Sequence, residues 1–187
     1  MSENGTSRVT VRTLQKSEYT IRLERDITEP DDFAEEFAAL QQAGPDDVVK
    51  ILIMSGGGDF QTCLQIIRAI KSCDAYTIAV IGVECASAAS AIALACDDWE
   101  VDEMSGMMVH TATIALGQAK LRNVLAAAEF NQKMIERFVD MAYTGFLSEE
   151  ELLDVKNGHD LYFDGQDLAD RLSSYSEYRN AVIAERG

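Results

Sequence analysis

His110 and His159 are the only two imidazoles in the sequence, so a serine that needs a base near neutral pH must draw on one of them. The segment Gly82–His110 reads GVECASAASAIALACDDWEVDEMSGMMVH, with serines set among small residues and a histidine closing the run. A serine hydroxyl is a weak nucleophile until a base takes its proton, and the pairing of Ser87 or Ser90 with His110 would supply that chemistry. Each residue also has a plainer reading. Either serine can serve as a helix cap, and His110 can be a structural histidine.

Upstream, Ser55-Gly56-Gly57-Gly58 follows an apolar run. Glycines at such a junction let backbone N–H groups turn toward an anion. Nucleotide binding is excluded: the loop has no Lys-Ser/Thr pair, and Gln61 stands where a dinucleotide fingerprint needs its third glycine. What remains is a tight turn or an oxyanion-binding edge, with Gly57 as the candidate donor. If Ser87 opens a helix, the N–H of Ala88 points where a tetrahedral oxyanion would form. A third group should orient the imidazole. Among 32 acidic residues, Asp160 is the best placed, after a capped helix and before the apolar Leu161–Phe163. His159 reads as a surface residue.

These residues need elements that bring them together. Glu18–Glu24 alternates like a strand, and Thr28, Pro30 and Asp31 mark a helix start. Val48–Met54 is a nearly continuous apolar run, as in a parallel strand covered on both faces. A helix with Leu64, Ile67 and Ile70 follows, then a strand at Tyr76–Val83, a small-residue helix from about Ser87 to Ala95, and a short strand ending at Met107–His110. A long helix from about Gln118 to Ala142 carries Leu121, Val124, Leu125, Phe138 and Val139 on one side, with Phe130, Met134 and Met141 on another. A capped helix runs from Ser148, with Glu151 as its partner, to Asn157-Gly158. The tail from Ser173 is polar and carries no signal. This strand–helix alternation predicts an α/β fold with a mostly parallel sheet. Its strand ends place Gly57, Ser87 and His110 on one edge.

The chain has 187 residues, 47% of them apolar and 26% charged, which fits one globular domain over residues 18–187 behind a flexible segment 1–17. A formal charge of −16 argues against nucleic acid and anionic membranes as partners. No apolar run approaches the ~20 residues of a membrane span. The opening MSENGTSRVTVRT lacks a signal peptide's apolar core. Cys63, Cys73, Cys85 and Cys96 show no CxxC pairing and read as reduced core thiols of a cytoplasmic protein.

The motifs together resemble the ClpP-like serine peptidases, the proteolytic-subunit family of the Clp protease, and are most similar to its phage- and prophage-encoded members. Ser55-Gly56-Gly57-Gly58 is similar to the family's Ser-Pro-Gly-Gly turn, and Ala86–Ala93 to its nucleophile segment. Met107-Met108-Val109-His110 looks like the strand that ends in the catalytic histidine. Gly117-Gln118 resembles the opening of the family's long helix, Tyr143-Thr144-Gly145 the turn before the acidic segment, and Asp160 the catalytic aspartate. The likeness covers roughly Ile21 to Leu172. Three features depart from the family pattern. The segment from Ser87 to His110 is about two residues shorter than in the bacterial housekeeping enzymes. Arg171-Leu172-Ser173-Ser174 stands where a Gly-Leu-Val-Asp stretch is expected, and Glu84 and Cys85 replace small residues before the nucleophile.

The resemblance implies a ClpP/crotonase-like fold of repeated β-β-α units with a protruding helix–strand handle. It implies a serine endopeptidase with Ser87, His110 and Asp160 as triad, Gly57 and Ala88 as oxyanion hole, and no metal or organic cofactor. It further implies a homo-oligomer, a heptameric ring or two stacked rings, in which one face of the long helix serves the subunit and the other a neighbour. The partners it implies are protein substrates, an AAA+ unfoldase or capsid proteins, and the compartment is the host cytoplasm or the virion. The alternatives are a catalytically silent ring or scaffold subunit and, in a different class, a crotonase-type acyl-CoA enzyme.

Overall fold

The structure, a computed structural model, describes residues 16–113 and 120–186. The flexible segment expected at 1–17 therefore lies almost wholly outside the described residues, as does the Gly117-Gln118 opening of the long helix.

The first three strands are β1 (Glu18–Leu23), β2 (Val48–Ser55) and β3 (Tyr76–Ala86), paired in parallel in that order. Their apolar residues Ile21, Leu23, Val49, Ile51, Ile53, Ala79 and Ile81 are buried at every second position, so one face of the sheet carries the core. Met54 on the other face of β2 is exposed and corrects the expectation of a strand covered on both faces. β3 is long enough to serve two neighbours. Its first half pairs with β4 (Asp98–Glu100), and its end pairs with β5 (Gly106–Val109). β6 (Leu161–Asp164) closes the sheet antiparallel to β5, so the mixed α/β architecture is parallel but for one edge. β4 and β6 have no separate signal in the sequence.

Two helices flank the crossovers into β2 and β3: α1 (Ala34–Gln42), entered through a 3-10 turn at Pro30–Phe33, and α2 (Phe60–Lys71). The expected helix start at Thr28 with Asp31 is corrected. Glu29 is the cap residue of the 3-10 turn, without a side-chain bond, while the Thr28 hydroxyl donates to the Asp32 carboxylate at 2.6 Å. Pro30 explains the difference, because it fixes φ for a start but leaves the tighter i→i+3 turn to come first.

α3 (Ala88–Ala95) is buried from Ala88 to Leu94 and follows β3 directly. α5 (Glu149–Lys156) carries the expected capping box between Ser148 and Glu151 and ends at Asn157.

The polar tail is not featureless. α6 (Gly165–Arg186) runs through it, with Leu168, Leu172 and Tyr175 buried. Arg171, part of the departure from the family pattern, reaches the Glu151 carboxylate at 2.8 Å and lies 4.4 Å over the Phe163 ring. Trp99 packs on Tyr175 with ring centroids 5.4 Å apart.

α4 (Leu121–Tyr143) corrects a second expectation. Only Phe138, Val139, Ala142 and Tyr143 in its last turns are buried. Leu121 and Leu125 on the one side are exposed, and so are Phe130, Met134 and Met141 on the other, so neither apolar side is covered over this stretch. The helix projects from the subunit for most of its length.

Three of the cysteines, Cys63, Cys85 and Cys96, are buried. Burial pushes the Cys63 and Cys96 thiols up to about 12, so neither is a thiolate nucleophile near neutral pH. Cys73 departs from the expectation of a core thiol: it lies half-buried in the turn between α2 and β3. Among the described residues, no helix is long and apolar enough to cross a membrane.

Candidate active site

β3 and β5 set the geometry. Cys85 pairs with Met107 and Ala86 with Met108, and the Ser87 N–H then donates to the Met108 carbonyl at 2.9 Å. The strand that anchors Ser87 thus delivers His110 two residues later. Ser87 Oγ lies 2.7 Å from His110 Nε2, a short hydroxyl–imidazole contact. For that serine to donate, the imidazole proton must sit on Nδ1.

Ser87 itself is strained. Its φ of 57° and ψ of −122° form the only positive-φ conformation of a non-glycine among the described residues. Such a backbone costs about 1–3 kcal/mol and persists only where the surroundings hold it. The sharp elbow lifts the side chain off the sheet edge at the N-terminus of α3. As the first residue of α3, Ala88 has an N–H without an intrahelical acceptor.

The glycine loop packs against this elbow. A Cβ built on Gly57 would lie 2.7 Å from Ser87 Cβ, 2.7 Å from the Ala86 carbonyl oxygen and 3.0 Å from the Ala88 nitrogen, and its φ is +96°. Gly57 is therefore a glycine both for conformation and for closeness. The loop is clamped from outside: the Ile27 N–H donates to the Gly57 carbonyl at 2.8 Å, and the Asp59 N–H to the Ile27 carbonyl at 2.6 Å. Asp59 in turn caps α2 through the Thr62 N–H at 2.7 Å. The Gly57 N–H already has a partner, the buried Ser55 hydroxyl at 3.1 Å, which the sequence reading passed over.

Asp160 comes into the neighbourhood, at the mouth of β6, but not into contact. Its carboxylate is 3.9 Å from His110 Nδ1, with the two side chains 47% and 27% exposed. That separation is an ion-pair approach rather than a hydrogen bond. His159 turns away to Asp154, at 3.5 Å, and takes no part. Ser90 is wholly buried and faces inward, where its hydroxyl donates to the Ser87 carbonyl at 2.6 Å.

Two spaces flank the elbow. A cavity of about 220 Å³ opens beside Thr111, the residue after His110, against Ala128, Asn131, Gln132, Ile135 and Glu136 of α4. On the other side a groove runs past Val83, Glu84, Met108, Tyr162 and Asp164. Glu84 thus charges the surface beside the site, while Cys85 points into the core. Among the described residues there is no cluster of three or more His, Cys, Asp or Glu set to hold a metal ion.

A hydroxyl in contact with an imidazole, at a strained elbow with backbone N–H groups beside it, can carry out acyl transfer. In a comparison with protein families, the model described as Clp protease matches residues 3–167. No curated protein matches the chain.

Proposed function

The chain belongs to the Clp protease family, whose model spans most of its length, and from that membership and the elbow geometry we propose a serine endopeptidase with Ser87 as nucleophile. The observation that carries the reading is the 2.7 Å contact between Ser87 Oγ and His110 Nε2. As Oγ attacks the scissile carbonyl carbon, its proton passes to Nε2. The imidazolium then protonates the leaving amine, and a water molecule hydrolyses the acyl-enzyme by the reverse proton path. The N–H groups of Gly57 and Ala88 stabilise the oxyanion, a contribution of roughly 3 kcal/mol per donor. The Ser55 hydroxyl does not block this, because a charged oxyanion makes roughly twice the bond that a neutral hydroxyl does.

Asp160 holds the Nδ1–H tautomer in this scheme. With a 3.9 Å gap and a half-exposed carboxylate, its contribution is smaller than that of a buried, bonded aspartate. Asp160→Asn is expected to lower kcat by about ten- to hundredfold, measured as steady-state peptide hydrolysis. A loss near 10,000-fold would instead mean that the pair closes to bonding distance in the working enzyme.

Peptide substrates and oligomeric assembly follow from the family. The arrangement we assign is a heptameric ring, single or stacked in two. The projecting α4, with its exposed Leu121, Leu125, Phe130 and Met141, supports burial against other subunits. On the resemblance to phage-type members we assign capsid or scaffold proteins as natural substrates. Intact-mass analysis after fluorophosphonate treatment, with peptide mapping, tests the chemistry. One adduct on Ser87, absent in His110→Ala, is the expected result. No adduct in a preparation that forms rings would leave a silent scaffold subunit.

A further inference from the structure

The Ser87 carbonyl is the most heavily bonded acceptor in the site. It receives the Ser90 N–H at 3.1 Å and the Ala91 N–H at 3.4 Å, the long first bonds of α3. Its shortest partner is the Ser90 hydroxyl at 2.6 Å. The Ser90 oxygen lies 2.9 Å from the Tyr143 hydroxyl, which is also 3.4 Å from the same Ser87 carbonyl. Ser90 has one hydroxyl proton, and the short bond to Ser87 uses it. Tyr143 therefore donates to Ser90, giving a chain of two bonds that run in one direction and polarise each other.

We propose that Tyr143 and Ser90 are positioning residues, a buried hydroxyl relay that holds the Ser87 backbone in its strained conformation so that Oγ stays on His110. The proposal rests on Ser87 being the nucleophile. Neither residue can reach a substrate, since Ser90 and Tyr143 are 0% and 1% exposed. A positive-φ serine relaxes unless something over-determines it, and on its amide side the Met108 carbonyl supplies one anchor. The relay supplies the other, from a residue 56 positions away in sequence.

Tyr143 is itself fixed. It closes the last buried turn of α4 beside Phe138, at a T-shaped 6.3 Å, and Phe138 packs on Phe60 at 4.9 Å. Gly145, with φ +90°, follows it where a Cβ would strike the Tyr178 ring. Burial raises the Tyr143 phenol above its ordinary value, so its proton is present at every working pH and the relay does not titrate.

Tyr143→Phe and Ser90→Ala each remove one oxygen and little volume. Each is expected to lower kcat, and the rate of fluorophosphonate labelling at Ser87, by about tenfold, ~1.4 kcal/mol. KM should stay within about twofold of wild type, and the pH midpoint of the rate should not move. Because Tyr143 acts chiefly through Ser90 and its own contact with the Ser87 carbonyl is long, at 3.4 Å, the double variant is expected to be within about twofold of Ser90→Ala alone. A lower thermal midpoint with unchanged kcat and labelling, in either variant, would make the relay merely structural and overturn the proposal. Wild type that takes no label at Ser87 would overturn the nucleophile assignment and the relay with it. A labelled wild type with equally fast variants would overturn the relay alone.

Discussion

Ser87→Ala is expected to lower kcat for peptide hydrolysis by about 10,000-fold or more while KM and the thermal midpoint stay near wild type. Alanine keeps the Cβ and therefore the backbone strain at φ 57°. What it loses is one half-buried oxygen and its 2.7 Å contact with His110, a neutral bond worth about 1 kcal/mol of stability. The asymmetry between a small stability change and a large rate loss marks a nucleophile rather than a cap. A helix cap would show the opposite, and Ser87 makes no side-chain cap bond in α3. His110→Ala is expected to cost nearly as much. The double variant should be little worse than either single change, because the two side chains act as one unit. Equal hydrolysis by wild type and Ser87→Ala would remove the serine mechanism and favour the silent subunit.

The elements that position this pair were readable because their signals are local. β2 and β3 are apolar runs, Ser148 and Glu151 are three residues apart, and the elbow sits at a strand-to-helix junction that composition alone exposes. Tyr143 and Ser90 were not readable as a pair. Nothing in either stretch says that a helix end will return to the first turn of α3, where core packing that includes Phe138 on Phe60 holds it. Ser90 three residues after Ser87 was a usable signal, since a serine at that spacing commonly bonds back to a backbone carbonyl.

Two errors have physical causes. Leu168, Leu172 and Tyr175 are spaced four and three apart and form the buried stripe of α6. A boundary drawn at Ser173 divided that stripe, so the polar residues beyond it looked featureless. In α4, periodicity identified an apolar side but not what covers it. A stripe that packs within one subunit and a stripe that meets a neighbour have the same 3.6-residue spacing. The exposure of Leu121 at 74% and Phe130 at 63% shows that this stretch is not covered within the subunit.

Gly57→Ala is the second large effect, and it reaches the nucleophile through space rather than through chemistry. The added Cβ would sit 2.7 Å from both the Ala86 carbonyl oxygen and Ser87 Cβ, distances that force the elbow or the loop to move. The loop cannot retreat cheaply, because the Ile27 N–H holds the Gly57 carbonyl at 2.8 Å. Movement of the elbow breaks the alignment of Oγ with His110 and shifts the Ala88 N–H, and a misplacement of about 1 Å costs on the order of a hundredfold in rate. Alanine keeps the backbone N–H at position 57, but moving it out of line with the oxyanion adds a similar factor, so kcat is expected to fall by about 1,000-fold or more. Stability should fall too, by about 2–4 kcal/mol for strain and overlap together. Gly158→Ala separates those two contributions: its φ is +94°, yet a Cβ there meets nothing within 4 Å. Denaturant unfolding of that variant measures the cost of positive φ alone, about 1–2 kcal/mol. The excess in Gly57→Ala is then the overlap with the elbow. If the two variants lost equal stability and Gly57→Ala kept its rate, the close approach of the loop to Ser87 would have no bearing on catalysis, and Gly57 would be a turn glycine only.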